Sequence, residues 1–464
     1  VLTNFVASSP LPTFICKRRS YNYNFDLPIW LCHILLQFVI SLTILLCTLW
    51  LSLYTNITNL LKKTRKMLVN CHILCYNTDI MKVKRLKISN FRNYASQLVE
   101  FKSGINFLIG KNAQGKTNLL EAIYISSLGH SPRTNKERDT IKWDTTTAKI
   151  ALEIERRSGT VKLETHISKN HKKIVTINDI PILRIGELLG QLNVIYFSPD
   201  ELSLIKDAAN QRRRFLDINI SQIKKPYFYT LGRYNKILSQ RNRLLKQISA
   251  NKASHDTLAV WDSQLAKEGA QIILTRQKFI QNLTPYICLA HASLTSLKEQ
   301  IALTYETSIV TKETTSREVN NSPHLETEIE NLFLQRLTTT RERDIGLGHT
   351  STGPHRDDIK LSVNDVDVRL FGSQGQQRTA TLSLKLGLFK LYENLLKEAP
   401  VLLLDDVFSE LDEARKQNLL DFCKGQSQTI ITGVDTLLND KAVADILKQT
   451  HSNIFYIENG SVKV

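Results

Sequence analysis

Gly110-Lys-Asn-Ala-Gln-Gly-Lys-Thr117 constrains this chain more than any other eight residues in it. The octet fits G-x-x-x-x-G-K-[ST], and its flanks are the ones that pattern needs. Ile105-Asn-Phe-Leu-Ile109 before it is a short apolar run, read as a buried strand. Asn118-Leu-Leu-Glu-Ala-Ile-Tyr124 after it has helical spacing. A strand, a glycine turn and a helix start together aim backbone N–H groups and the helix dipole at an anion. Gly110, Lys111, Asn112, Ala113, Gln114 and Gly115 would wrap the phosphates. Lys116 would reach the β- and γ-phosphates, and the Thr117 hydroxyl would complete a Mg²⁺ shell. The expectation is an α/β protein that binds a nucleoside triphosphate.

A second half of such a site lies nearly 300 residues further on. Val401-Leu-Leu-Leu-Asp-Asp406 is an apolar strand ending in two carboxylates. Asp405 is placed to hold Mg²⁺ through water, and Asp406 stands where a general base or water-positioning group is needed. With Lys116 these two make the expected catalytic set. Ser409-Glu-Leu-Asp412 follows as a tight turn. About thirty residues before the acidic pair, Phe371-Gly-Ser-Gln-Gly-Gln-Gln-Arg378 opens a helix, and Ser373, Gly375 and Gln376 form a second anion seat. Each piece alone is common. The order P-loop, Ser-x-Gly-Gln, apolar strand with two aspartates, then S-x-L-D is specific to ATPases of the ABC type. There the serine-glycine turn of one subunit covers the nucleotide of its partner, so ATP joins an ATP-dependent homodimer.

Composition adds a partner class. The chain has 61 Lys and Arg against 44 Asp and Glu, a formal charge of +17. The first 80 residues hold 7 against 2, so the excess also runs through the remainder. A basic ATPase points to an anionic partner such as nucleic acid, although charge alone carries no specificity. Arg212, Arg213 and Arg214, then Arg241 and Arg243 on a later helix, are candidate DNA-binding residues. An exposed helix face with Arg–carboxylate pairs is the competing explanation. No aromatics are interleaved with them, so backbone contact is favoured over base reading. Leu231, Tyr234, Leu238, Leu245 and Ile248 read as a core-facing seam interrupted by Arg241. His355 with Asp357 and Asp358 is read as a structural turn rather than a metal cluster.

The N-terminal 80 residues differ from the rest. Ile29 to Tyr54 contains no Lys, Arg, Asp or Glu and is long enough to cross a bilayer. Five of the seven cysteines fall in this part, and only Cys288 and Cys423 follow. Two isolated cysteines argue against a disulfide framework and fit a reducing compartment. The composition changes at Met81. Three readings stay open for residues 1–80: a membrane anchor, a processing segment, or an upstream stretch preceding a start at Met81, which the abrupt change favours. Beyond Met81, alternating stretches at 82–89, 96–102, 148–155, 161–168 and 173–177 predict an antiparallel subsheet. The chain reads as helical after Pro199, and strand pattern returns near Asp358.

From Met81 onward the sequence resembles the RecF family of bacterial recombination mediators. The resemblance is carried by Ile88-Ser-Asn-Phe-Arg-Asn-Tyr94, the P-loop and its helix, and Ser131-Pro-Arg-Thr134. Phe197-Ser-Pro-Asp-Glu-Leu202, Arg212-Arg-Arg-Phe-Leu-Asp217, Gln240-Arg-Asn-Arg-Leu-Leu-Lys246, Thr352-Gly-Pro-His-Arg-Asp-Asp358 and Asp405-Asp-Val-Phe-Ser-Glu-Leu-Asp412 complete it. It implies an ABC-type head, SMC-like, with a helical lid and no long coiled coil. The head would comprise 81–205 and 341–464, and the lid 206–340. It implies a cytoplasmic ATPase of recombinational repair and replication restart, with ATP and Mg²⁺ as cofactors. Single-stranded, gapped or junction DNA and other mediator proteins would be its partners. Arg92 and Tyr94 either contact the adenosine or simply close the strand turn. Asp406 stands where many ABC relatives have Glu, and the strand Gln428–Thr432 ends without the usual histidine, so slow DNA-stimulated hydrolysis is expected. A membrane-anchored ABC-type ATPase using the N-terminal apolar segment is the alternative.

Overall fold

The computed structural model describes residues 79–199, 203–309, 323–424, 427–449 and 452–463. The apolar stretch 29–54 lies outside the described residues. What is described belongs to one compact unit, Asn77–Val464.

The first half of the unit is mostly strand. β1 (Asp79–Ile80), β2 (Lys82–Phe91), β3 (Tyr94–Glu100) and β4 (Ile105–Ile109) lead to helix α1 (Lys116–Leu128). β5 (Thr147–Arg156), β6 (Gly159–Ser168), β7 (Ile174–Ile177), β8 (Ile180–Pro181) and β9 (Val194–Phe197) follow. Strands β3-β2-β5-β6-β7-β8 form the expected antiparallel sheet. On β5 the residues Ala148, Ile150, Leu152 and Ile154 point inward and their neighbours outward, the period-two pattern of a sheet buried on one face.

Helices dominate next: α2 (Ala209–Ile223), α3 (Lys225–Ser249), α4 (Leu258–Leu294) and α5 (Pro323–Thr339), with β10 (Ile301–Glu306) between the last two. β10 was not expected. Its Ile301, Leu303 and Tyr305 are buried while Ala302, Thr304 and Glu306 are exposed, so period two was present inside a stretch read as helical. It pairs with β11 (Asp358–Val363), which returns at the expected position and pairs in turn with β12 (Val366–Asp367).

The C-terminal part supplies α6 (Gln374–Leu396), β13 (Glu398–Ala399), β14 (Val401–Asp405), α7 (Glu413–Cys423), β15 (Thr429–Gly433), α8 (Lys441–Gln449), β16 (Asn453–Glu458) and β17 (Ser461–Lys463). A second six-stranded sheet runs β17-β16-β4-β15-β14-β9, parallel except at the β17 edge. All five residues of β4, β14 and β15 are buried, because helices cover one face of this sheet and the antiparallel sheet with α1 covers the other. Ile105, Phe107, Ile109, Leu402, Leu404 and Ile431 pack into the helical side, and Leu108, Leu403 and Ile430 into the other. Met81 is fully buried, its N–H bonded to the Ala399 carbonyl and its sulfur accepting from Asn193 N–H.

Candidate nucleotide-binding site

β4 ends at Ile109, and the chain must turn sharply to enter α1. Gly110 permits this because a Cβ there would lie 2.3 Å from the Ile457 carbonyl oxygen of β16. Gly115 has φ +115°, and a Cβ would meet Asn93 and the Tyr94 ring at 2.7–2.9 Å. The turn between β2 and β3 latches the loop from outside. Asn93 donates to the Gln114 carbonyl at 2.8 Å and Tyr94 to the Gly115 carbonyl at 3.1 Å. From the far side the Gln114 amide accepts Asn459 N–H at 2.6 Å. The loop is therefore held by two separate segments before any ligand arrives.

Lys116 is buried and folded back on the loop, donating to the Gly110 and Lys111 carbonyls at 2.6 and 2.8 Å. Burial lowers its pKa, and Asp406, Asp405 and Asp435 oppose that shift. These carbonyl bonds hold the ammonium beside the ring of loop N–H groups, where a phosphate would sit. Asp435, just past β15, is a member of the site that sequence reasoning missed. An Asp two residues beyond an apolar strand was the available signal, and it is a common one.

Asp405 closes the other end of the site. Register places it beside Thr432 of β15, the strand between the P-loop strand and its own. Its carboxylate accepts from Thr432 at 2.7 Å, from Thr117 at 2.9 Å and from Tyr196 at 3.0 Å. Thr117 and Asp405 thus meet across 288 residues of sequence. A hydroxyl and a carboxylate are the hard oxygen donors that Mg²⁺ takes when it also binds phosphate, so the residues fit that ion. Tyr196 and Thr432 were not foreseen; both orient the carboxylate. Asp406 follows in the left-handed region, φ +50°, its N–H donated to Thr432 at 2.9 Å. An Asp tolerates that conformation better than most residues. Thr117, Asp405 and Asp406 open on a cavity of about 600 Å³ that reaches Tyr196, Lys385 and Arg214.

The Ser373 turn is built as expected and faces outward. Ser373 caps α6, its Oγ accepting Gln376 N–H at 3.2 Å while the Gln376 side chain accepts Ser373 N–H at 3.1 Å. Gln376 also donates to Glu299 at 2.9 Å. Ser373 is exposed, and nothing but its own Oγ lies within 4 Å of a Cβ at Gly375, so the turn leaves room for a ligand.

Three expectations for the arginines need correction. Arg212 is 2% exposed and forms a fork with Asp358, Nε and Nη2 donating at 2.6 and 2.8 Å. Arg241 is fully buried, bonded to Asp262 at 2.6 Å, Asp344 at 2.9 Å and Thr350 at 2.7 Å. Neither offers a guanidinium to a phosphate. Arg241 does not interrupt the α3 seam; it belongs to it, beside Tyr234, Leu245 and Ile248. Arg92 is the third. Its Nε and Nη2 bind Glu121 at 2.9 and 2.6 Å, and Nη1 donates to the Asp139 carbonyl at 2.8 Å, so its head bridges two protein segments instead of facing an adenosine. Arg213 donates to the Asp357 carbonyl at 2.7 Å and is half-buried, whereas Arg214 and Arg243 are exposed. His355 bonds Tyr234 at 2.7 Å and the Thr350 carbonyl at 3.1 Å, and no grouping of metal-ligating side chains occurs among the described residues.

Fold and site together define an ABC-type P-loop ATPase head. The family model described as RecF/RecN/SMC N terminal domain matches residues 82–454. The DNA replication and repair protein RecF of Lachnoclostridium phytofermentans is 44% identical over 367 residues, 79% of this chain and 96% of that protein. That of Halothermothrix orenii is 41% identical over 384 residues, 82% of this chain and 98% of its own length. Among solved structures, the recombination mediator protein RecF with ATP, of the RecFOR pathway, superposes with TM-score 0.74 at 34% identity, covering 84% of this chain and 98% of that one. The chain belongs to the RecF family of DNA replication and repair proteins. No helix among the described residues is long and apolar enough to cross a membrane.

Proposed function

We propose that this chain binds ATP with Mg²⁺ at Gly110–Thr117 and Asp405, and that ATP joins two copies around DNA. The observation that carries the reading is the Thr117–Asp405 contact at 2.9 Å, with Lys116 buried beside it and an exposed, capped Ser373 turn elsewhere on the surface. A turn that presents an N-cap hydroxyl and the first amides of α6 to solvent is an anion seat in want of a second molecule's phosphate. Each subunit would supply Lys116, Thr117 and Asp405 to its own nucleotide, and Ser373, Gly375 and Gln376 to its neighbour's.

In this reading Lys116 moves from the loop carbonyls onto the phosphates. Thr117 and Asp405 would hold Mg²⁺, which would supply charge neutralisation at the phosphate oxygens. Asp406 takes a proton from the attacking water. The shorter reach of Asp compared with Glu makes hydrolysis slow, and hydrolysis reopens the pair. Membership of the family and likeness to the ATP-bound recombination mediator support a cytoplasmic protein that binds single-stranded or gapped DNA and works with other mediator proteins. Light scattering with ATP tests the dimer. Wild-type chain should double in mass and Ser373→Arg should not; a Ser373→Arg protein that dimerises normally rejects the shared site.

A further inference from the structure

With Arg212 and Arg241 sealed in ion pairs, Arg214 and Arg243 are the exposed cations left of that set, and a denser group of them lies elsewhere. Between the Asn135–Asp139 turn and the β6–β7 hairpin tip (167–173) runs an open groove of about 570 Å³. Its walls carry Lys136, Arg138, His171, Lys172 and Lys173 against Glu137 and Asp139. Glu137 is ion-paired with Lys173, whose ammonium also donates to the Gly129 carbonyl at 2.5 Å. That pair clasps the two walls together and cancels one charge of each sign. Asp139 accepts from Thr134 at 2.9 Å. Lys136 and Arg138 on one wall and Lys172 on the other are exposed, and none has an ion-pair partner among the described residues. Lys169 at the hairpin tip is exposed as well.

Like charges on facing walls raise the local potential, and a concave low-dielectric surface focuses it. No Phe, Tyr or Trp lines the groove, and His171 is its single ring, so cationic side chains outnumber stacking ones. Its chemistry suits a dense row of phosphates, and a duplex presents a charge about every 1.7 Å of axis. The turn that forms one wall is also braced on the nucleotide site. Ser131 donates to Glu121 at 2.5 Å, Arg133 to Asn118 at 3.0 Å, and Arg92 joins Glu121 to the Asp139 carbonyl. Asn118 and Glu121 both lie on α1, the helix that begins at Lys116.

We infer that this groove grips the phosphate backbone of duplex DNA through Lys136, Arg138 and Lys172, with the Arg92–Glu121 link tying its wall to the phosphate loop. The inference rests on the DNA-binding reading above and adds to it the site and the strand form. It is tested on the full chain by fluorescence anisotropy with labelled duplex and single-stranded DNA across a salt series, comparing wild type, Lys136→Gln/Arg138→Gln/Lys172→Gln and a control at the exposed Lys252, Lys252→Gln. Calorimetric titration with ATP runs in parallel and reports that the triple variant is folded. The expected result is at least a tenfold loss of duplex affinity at low salt. The log–log salt slope should become shallower by about 2.7, roughly 0.9 for each of three contacts. ATP affinity should be unchanged, and Lys252→Gln should match wild type. A triple variant with wild-type duplex affinity and slope overturns the groove while leaving the DNA-binding reading intact, as does a loss confined to single strands. A wild-type chain with no salt-dependent DNA binding removes that reading and the groove with it.

Discussion

Replacing Arg241 with Leu is expected to destabilise the protein by about 3 kcal/mol and to leave DNA contacts untouched. Arg241, Asp262 and Asp344 are all fully excluded from solvent. Removing one partner of a buried pair costs about 3–5 kcal/mol, because a desolvated charge is left behind. Here the loss should fall at the lower end. Asp262 keeps Arg341 at 3.0 Å, and Asp344 keeps the N–H and hydroxyl of Ser351 at 3.0 and 2.6 Å. Arg241 Nη2 is buried without a hydrogen-bond partner, so the native arrangement already carries a desolvation cost. Arg243, two residues on and exposed, should lose no more than about 0.5 kcal/mol when changed to Leu. Urea unfolding of the three proteins, followed by circular dichroism, measures the difference, and duplex affinity is read under native conditions. A loss below about 1 kcal/mol for Arg241→Leu, or weakened DNA binding with stability intact, would refute the structural role assigned to this arginine.

Gly110→Ala should cost about 1–3 kcal/mol, since its Cβ would sit 2.3 Å from the Ile457 carbonyl and β4 must shift against β16. A thermal melt showing an unchanged midpoint and an unchanged ATP-induced rise would contradict that packing. Asp406→Asn should slow ATP turnover about 10²–10⁴-fold while prolonging ATP-driven dimers; an unaltered single-turnover rate excludes Asp406 as the base. Glu164 predicts an acid sensitivity. Burial works against its charge, but bonds from Lys149, Lys162 and His166 outweigh that and hold its pKa at about 2, below the usual 4.5. Its contribution is fully present above pH 4.5 and is lost as pH falls toward 2. Glu164→Gln should therefore flatten the stability profile in that window, and an unchanged profile counts against the pairing.

The parts of the fold that short-range pattern encodes were legible in the sequence. The P-loop with its strand and helix, the acidic strand, the Ser373 cap and the alternating strands of the antiparallel sheet each announce themselves within ten residues or so. Side chains whose fate depends on distant partners were not. Arg212 meets Asp358 across 146 positions and Arg241 meets Asp344 across 103, and nothing near either arginine distinguishes a buried ion pair from an exposed phosphate contact. Arg92 has the same history: its partner Glu121 is an ordinary helix residue until the β2–β3 turn folds over α1. Tyr196 and Thr432 reach Asp405 only because β9, β14 and β15 lie side by side, an order local sequence does not state. β10 was the one strand with its own period-two signal that the surrounding helical pattern obscured.

Mixing two inactive chains addresses the shared site most directly. Lys116→Ala lacks the phosphate-binding ammonium, and Ser373→Arg blocks the turn meant for a neighbour; each alone should turn over no ATP. In a mixed pair with two-fold symmetry of contacts, one site carries both defects and the other carries none. An equimolar mixture should regain hydrolysis from the one intact site of each mixed pair, up to about half of wild type when neither chain pairs with itself. If the mixture stays as inactive as its components while both chains remain folded, each subunit completes its own site and the ATP-joined dimer is wrong.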